Sequence, residues 1–126
     1  MVEVEKRLRP IDYDLAVDSL FVSVPGREYK SIMVGDDLIL DFGVLPGEDK
    51  LGVVGFELLG ASKKFGVDRH VLRNIKGLHA EIIANEEWVK LKLSVVVLHR
   101  RKEQKGDKVL EVANSGIPKL TSSITV

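Results

Sequence analysis

The sequence predicts an α+β fold, in which mostly antiparallel β meanders carry one or two short helices between them. Three observations lead to this prediction. Short runs rich in β-branched and aromatic residues recur along the chain, and Gly, Pro or Asp closes most of them. The turns between these runs are too short for crossover connections, which favours antiparallel pairing. In the middle of the chain, the spacing of apolar residues changes from that of a strand to that of a helix.

The first half of the chain predicts four strands joined by turns. The strands cover residues 20–24, 28–34, 38–42 and 51–58, and the turns cover residues 25–27, 35–37 and 45–49. Pro and Gly in these turns supply the backbone angles that a reversal needs. Residues 1–9 alternate Val with charge, which predicts a short edge strand or a frayed arm. We therefore expect a first meander of sequential strands.

Helical material is predicted between the two halves. Residues 58–67 indicate one or two helical turns interrupted by glycines, and a longer helix is predicted over residues 68–76. Asp68 is a suitable N-cap for this longer helix, because its carboxylate can accept an unpaired backbone N–H group. Apolar residues follow Asp68 at helical spacing, and Gly77 can close the C-terminus.

The second half predicts a second meander. The predicted strands cover residues 78–84, 89–98 and 108–112, with a turn at 85–87, a charged loop at 100–107 and a break at 114–118. Residues 119–126 predict a last edge strand or a disordered tail. The stretch Val95–Leu98 is apolar on both faces, so we expect it to be covered on both sides.

Length and composition describe a folded protein. The 126 residues, of which 44% are hydrophobic, suit a single domain over residues 1–126. The 19 basic and 19 acidic residues cancel, which argues against a dedicated nucleic-acid binder and against an anionic membrane surface as a partner. With no cysteine, disulfides and thiolate metal sites are excluded. The charge-rich, amide-poor composition resembles that of proteins from thermophiles.

The N-terminus and the apolar runs predict a cytoplasmic protein without a membrane partner. Residues 1–6 are charged and lack the apolar length of a signal peptide. The apolar run Val95–Leu98 is far shorter than a membrane span.

The first half resembles a known family. The segments that carry the resemblance are Tyr13-Asp14, residues 18–22, residues 37–41 and the stretch Val54-Gly55-Phe56-Glu57-Leu58-Leu59 followed by Ala61-Ser62. On these segments, residues 11–65 resemble the domain-of-unknown-function family 2283. The resemblance implies a small antiparallel sheet followed by a helix, and it implies no activity. Residues 78–126 form an additional β-rich half outside it.

Acidic residues are the first candidates for a metal site. Asp12, Asp14 and Asp18 cluster before the first long strand, where they could bind a divalent cation. We favour turn chemistry for them, because Asp readily accepts nearby backbone N–H groups. Asp41 and Glu57 could approach each other on neighbouring strands as an acid–base pair, although we favour a solvated face.

Histidines and a basic stretch complete the candidates. His79 and Glu81 share a strand face and are the best metal or general-base pair among the histidines His70, His79 and His99. We favour a surface position for all three. Residues 99–108 carry the one basic stretch, which we interpret as a solvated turn between edge strands.

The sequence contains no recognised catalytic, nucleotide or cofactor motif, so we predict no cofactor and lean towards a protein that is not an enzyme. The favoured function is a homo-oligomer or a protein that binds another protein. The alternative is a small-molecule or divalent-metal binder, or a weak enzyme, that uses Asp14, Asp41 and Glu57 or the pair His79 and Glu81.

Overall fold

A computed structural model describes residues 10–23, 28–44 and 50–126. The described residues form nine strands, one α-helix and one 3₁₀ helix. In chain order they are β1 Ile11–Asp14, β2 Ser19–Ser23, β3 Lys30–Val34, β4 Leu38–Val44, β5 Leu51–Leu59, α1 Ala61–Phe65, the 3₁₀ helix Val71–Asn74, β6 Ile75–Ala84, β7 Trp88–His99, β8 Lys102–Ala113 and β9 Leu120–Thr125. The predictions for residues 1–9, 25–27 and 45–49 lie outside the described residues.

The strands form two antiparallel sheets. The first has the order β1-β2-β5-β4-β3, and the second has the order β8-β7-β6-β9. The prediction of a mostly antiparallel β fold is therefore confirmed. The helices are short, five residues in α1 and four in the 3₁₀ helix, so the protein is mostly β with little helix.

Connectivity in the first sheet differs from the predicted meander. β3, β4 and β5 do follow each other as neighbours, but β2 pairs with β5 rather than with β3. This pairing sets Leu20 opposite Leu58 and Val22 opposite Phe56, so four fully buried side chains share one face. β1, which we read as turn residues, pairs with β2 and continues the sheet at its edge.

The predicted helix over residues 68–76 is wrong. Asp68 does accept the backbone N–H of His70 at 2.9 Å, as an N-terminal aspartate should. Only Leu72 is buried in the 3₁₀ helix that follows, and Ile75 already pairs with Val97 in the second sheet. Strand pairing therefore ends the helical segment after about one turn.

The predicted charged loop over residues 100–107 is also wrong. β7 and β8 pair from Trp88 opposite Ala113 to His99 opposite Lys102, which leaves only Arg100 and Arg101 in the turn. β8 is an edge strand, and its charged side chains can remain in water while its backbone pairs with β7. Charge alone therefore misidentified a strand as a loop.

The two sheets face each other across one hydrophobic cluster. The first sheet contributes residues such as Phe56 and Leu58, and the second contributes residues such as Ile82 and Leu91. A hydrogen bond from the backbone N–H of Val53 to Oγ of Ser122, 3.2 Å long, also joins the sheets. The single domain stays a prediction, and this shared cluster is the observation that supports it.

Two remaining expectations concern the second sheet. In the apolar stretch Val95–Leu98, Val95 and Val97 are buried, while Val96 and Leu98 are half-buried, so only the inner face is fully covered. The last segment forms the edge strand β9 beside β6. In the described part of the chain, no helix is long and apolar enough to span a bilayer.

Candidate functional site

The predicted acidic cluster separates into different environments. Asp14 is exposed, and its Oδ1 accepts the backbone N–H of Ala16 at 3.0 Å, which is the turn chemistry we favoured. Asp12 is exposed on β1. Asp18 is buried in the turn before β2 and adopts the left-handed backbone conformation, with φ of 56°. The three carboxylates therefore do not share one environment.

Asp18 is the centre of a buried hydrogen-bond network. The Tyr13 hydroxyl donates to its Oδ1 at 2.5 Å, and the backbone N–H of Ser62 donates to the same oxygen at 3.0 Å. The Ser62 hydroxyl donates to Oδ2 at 2.7 Å, and Nε of Arg69 lies 4.0 Å from that oxygen. Arg69 also donates to the carbonyl oxygens of Leu15 and Ala16. The network ties the β1–β2 turn to α1 and to the segment after it.

The network shifts two pKa values in opposite directions. Burial alone would raise the pKa of Asp18, but hydrogen bonds from Tyr13 and Ser62 outweigh it and hold that pKa below its usual range. Burial and then the hydrogen bond to Asp18 raise the pKa of the Tyr13 hydroxyl well above its usual range. At neutral pH the network therefore contains a carboxylate and a protonated phenol.

Asp41 and Glu57 lie on one face of the first sheet. The solvated face that we favour from the sequence is wrong for Asp41, because the side chain is covered by its neighbours. Asp41 is opposite Gly55, and Glu57, two residues further along β5, is opposite Ile39. Asp41 is buried and accepts the Ser31 hydroxyl at 2.6 Å. The topology therefore brings the two carboxylates to the same face with an offset of two residues.

His79 and Glu81 lie on the outer face of the second sheet. His79 is exposed, with its Nδ1 2.7 Å from Oγ1 of Thr125, and Glu81 is opposite Lys92. Within the described ranges, no group of three or more His, Cys, Asp or Glu side chains is arranged to hold a metal ion. The metal candidates Asp14, Asp41, Glu57, His79 and Glu81 stay predictions.

Residues 60–74, which join β5 to β6 and which we call the connector, contain both short helices. A cavity that the sequence did not indicate lies between this connector and the β7–β8 hairpin. We call it the connector–hairpin basin, and its volume is about 660 Å³, within the usual range for small-molecule sites. Its lining comes from three segments: Val67, Asp68, His70, Val71 and Asn74 of the connector, Leu98, His99 and Arg100 of β7 and its turn, and Gln104 of β8.

The turn that supplies Arg100 has an unusual backbone. Arg100 and Arg101 have φ values of 52° and 65°, the positive values that a two-residue hairpin turn of this kind requires at both positions. Asn and Gly normally occupy these positions, because a left-handed residue with a Cβ costs roughly 1–2 kcal/mol. The chain instead places two arginines there, and one of them lines the basin.

The basin combines an apolar floor with polar groups. Val67, Val71 and Leu98 provide apolar surface, while Arg100, His70 and His99 provide a guanidinium and two imidazoles. The amides of Asn74 and Gln104 can both donate and accept hydrogen bonds. Asp68 also lines the basin, with one carboxylate oxygen engaged by the backbone N–H of His70.

The arrangement suits a ligand with an anionic group and a flat apolar part. The sequence predicts only ordinary surface for the histidines and the basic stretch. Residues 102–107 are polar on both faces, so no alternation after Arg100 and Arg101 indicated the two-residue turn beside the basin.

Comparison with known proteins finds two relatives among archaea. A Methanosarcina mazei protein named "Putative hypoxanthine phosphoribosyltransferase" is 33% identical over 121 residues, which is 95% of this chain and 94% of the relative. An uncharacterized protein of Methanocaldococcus jannaschii is 32% identical over 106 residues, which is 83% of this chain and 87% of the relative. No family model and no solved structure matches. The resemblance of residues 11–65 to family 2283 stays a prediction.

Proposed function

Because this chain belongs to the family of the Methanosarcina mazei and Methanocaldococcus jannaschii proteins, we propose that it binds a small phosphate-bearing ligand in the connector–hairpin basin. The observation that carries the proposal is the convergence of Arg100, His70 and His99 on one cavity of about 660 Å³. A guanidinium recognises phosphate oxygens through paired N–H donors, and an imidazole ring N–H can add a further donor.

The backbone of the hairpin turn supports this assignment. Glycine would relieve the left-handed conformation at Arg100, yet the chain holds a long cationic side chain there at the edge of the cavity. Residues held in unfavourable backbone conformations often serve binding, because the surrounding structure fixes where their side chains begin. Here the paired strands β7 and β8 fix the turn.

The name of the Methanosarcina mazei relative narrows the ligand class. That name joins hypoxanthine, a flat purine base, with a phosphoribosyl group. The basin has an apolar part and a cationic part that match these two groups. Val67, Val71 and Leu98 can pack against a flat base, and Arg100 can bind the phosphate. The amides of Asn74 and Gln104 can hydrogen-bond the base edge or the sugar.

We propose binding rather than group transfer. Of the described residues that line the basin, none is a Ser, Thr, Cys or Lys, so the side chains there that could act as nucleophiles are those of Asp68, His70 and His99. Asp68, His70 and His99 could move protons, but the lining as a whole consists of groups suited to recognition.

Calorimetric titration tests the proposal with two matched variants. We expect inosine 5′-monophosphate and ribose 5-phosphate to bind the native protein, and hypoxanthine alone to bind more weakly. Arg100→Gly removes the guanidinium from the basin without disfavouring the turn, and should weaken binding roughly 10- to 100-fold. Arg101 is the other residue of the same turn and is not among the described residues that line the basin. The Arg101→Gly variant should therefore bind both phosphate compounds with native affinity.

Two results would count against the proposal. Equal weakening by both glycine variants would mean that the turn matters as a structure rather than through the Arg100 side chain. Absence of binding by either phosphate compound to the native protein, in buffer free of phosphate, would rule out the proposed ligand class.

The homo-oligomer remains a second candidate, and one observation favours it. β3 is an edge of the first sheet, and Ile32 and Met33 on it are 40% and 54% exposed. Edge strands normally carry charges or bulges that prevent pairing with another chain. Two copies could pair β3 with β3 about a two-fold axis.

Light scattering after size exclusion tests this second candidate. We expect a dimer mass for the native chain and a monomer mass for Met33→Lys. The control Val109→Lys changes an equally exposed side chain on β8, where Val109 is 55% exposed, and should leave the dimer intact. A native monomer would exclude the pairing.

A further inference from the structure

β8 separates its charges between its two faces. Its residues alternate in register with β7, so those opposite the buried Leu93, Val95 and Val97 face inward. The inward set includes Lys102, Gln104, Gly106 and Lys108. The outward set includes all three acidic residues of the strand, Glu103, Asp107 and Glu111. The inner face of this edge strand therefore carries cations without acids.

Two of the three acids on the outer face have partners there. Asp107 accepts the Ser94 hydroxyl, and Glu111 lies 3.6 Å from the Lys90 ammonium. These contacts keep the negative charge of β8 on the far side of the strand. The positive charge of Lys102 and Lys108 is left on the side of the connector.

The inner face of β8 continues the connector–hairpin basin. Lys102 is opposite His99, and Gln104 itself lines the basin. From Lys102 to Lys108 the strand runs about 20 Å, and α1 lies beside β8. The stripe formed by Lys102, Gln104, Gly106 and Lys108, which we call the inner stripe, therefore leads away from the basin.

We propose that a single-stranded nucleic acid binds with its terminal phosphate in the basin and its following phosphates along the inner stripe. This inference rests on the proposed function of the basin. A mononucleotide needs the basin alone, whereas cations continuing along the strand suit a chain of phosphates. The apolar floor and the amides suit a base, which an inorganic polyphosphate or an acidic peptide would not supply.

The neutral total charge had argued against a nucleic-acid partner. The 19 basic and 19 acidic residues cancel only when summed over the whole chain. A nucleic acid responds to the charges within roughly 8 Å at physiological salt, because more distant exposed charges are screened. The sign of the local surface therefore matters more than the total.

Fluorescence anisotropy with a labelled, 5′-phosphorylated single-stranded RNA of eight nucleotides tests the inference. We expect tighter binding than for inosine 5′-monophosphate and an affinity that falls with salt. Lys102→Gln with Lys108→Gln should weaken RNA binding roughly tenfold and reduce the salt slope by roughly 1.4. The control Lys92→Gln with Lys105→Gln removes two cations from the outer face and should change neither quantity.

The outcomes separate this inference from the proposed function. If the mononucleotide binds through Arg100 but RNA binds no more tightly, the inference fails and the proposed function stands. If neither ligand binds, both fail. Equal effects of the two lysine pairs, or equally tight competition by inorganic polyphosphate, by poly-glutamate or by a duplex, would also overturn the inference.

Discussion

At the residue scale, Asp18 shows how a single carboxylate can hold two segments together. It is 3% exposed, and its oxygens accept three hydrogen bonds, one from Tyr13 and two from Ser62. A buried carboxylate is costly unless it is fully hydrogen-bonded, and here the donors come from β1 and from the start of α1. The β1–β2 turn is therefore fixed against the connector that lines the basin.

The lowered pKa of Asp18 predicts loss of stability in acid. Its pKa lies below the ordinary 3.8, so the unfolded state takes up a proton first as the pH falls. The stabilisation is present above that ordinary value and is lost as the pH falls through the folded-state pKa. Tyr13 acts in the opposite sense, because its raised pKa makes the folded state less stable above about pH 10.

The substitution Asp18→Asn removes the negative charge of the side chain and keeps its shape. Asn tolerates the left-handed conformation, so the backbone should not suffer. We expect the free energy of unfolding at pH 7 to fall by about 2 kcal/mol and its acid dependence to flatten. Urea unfolding between pH 3 and pH 7 measures both. The control Asp14→Asn lies in the same turn but is exposed, so a similar effect there would contradict the role of burial.

At the element scale, the β7–β8 hairpin decides the geometry of the basin. Its twelve-residue strands pair along their whole length, and the two-residue turn directs where His99, Arg100 and Gln104 lie. Pairing over such a length can offset the backbone cost of two arginines in the turn. The unfavourable backbone conformation of the turn therefore lowers the stability of the hairpin, and it places the Arg100 side chain beside the cavity.

Relieving this cost should stabilise the protein. Arg100→Gly and Arg101→Gly each remove a left-handed residue that costs roughly 1–2 kcal/mol, while glycine adds back roughly 0.5–1 kcal/mol of chain entropy. We expect the free energy of unfolding of each variant, measured with urea, to exceed that of the native protein by about 0.5–1 kcal/mol. A clear loss of stability in Arg100→Gly would mean that the Arg100 side chain stabilises the fold, which would contradict a role in ligand binding alone.

The hairpin also shows what could be predicted from the sequence. Apolar runs between turns identified the core strands β4 and β5. Alternation of apolar and polar residues identified β6 and β7, because burial of one face leaves that pattern. The same rule missed residues 102–107, where both faces of an edge strand are polar. The basin was missed as well. Its three segments are distant in sequence, and their proximity follows from the β7–β8 register and from the path of the short helical connector, neither of which was predicted. The chain order of strands likewise did not reveal that β2 pairs with β5.

At the scale of the whole molecule, the two sheets depend on each other for burial. Each sheet contributes one apolar face to the shared cluster, so neither can keep that face from water alone. The contact between Val53 and Ser122 adds a buried hydrogen bond across the same interface. The basin lies where the connector between the sheets meets the second sheet, so its geometry depends on this packing.

Leu58→Ala tests whether the sheets unfold as one unit. Leu58 is fully buried in the first sheet, and its truncation should cost about 2–5 kcal/mol. Trp88, the single tryptophan, lies on β7 in the second sheet and reports that sheet by fluorescence. If the shared cluster makes folding cooperative, the fluorescence midpoint of Trp88 and the circular dichroism midpoint should fall together in urea. A Trp88 transition that stays at its native midpoint while circular dichroism shifts would mean that the sheets are separate folding units, and that the basin can persist without the first sheet.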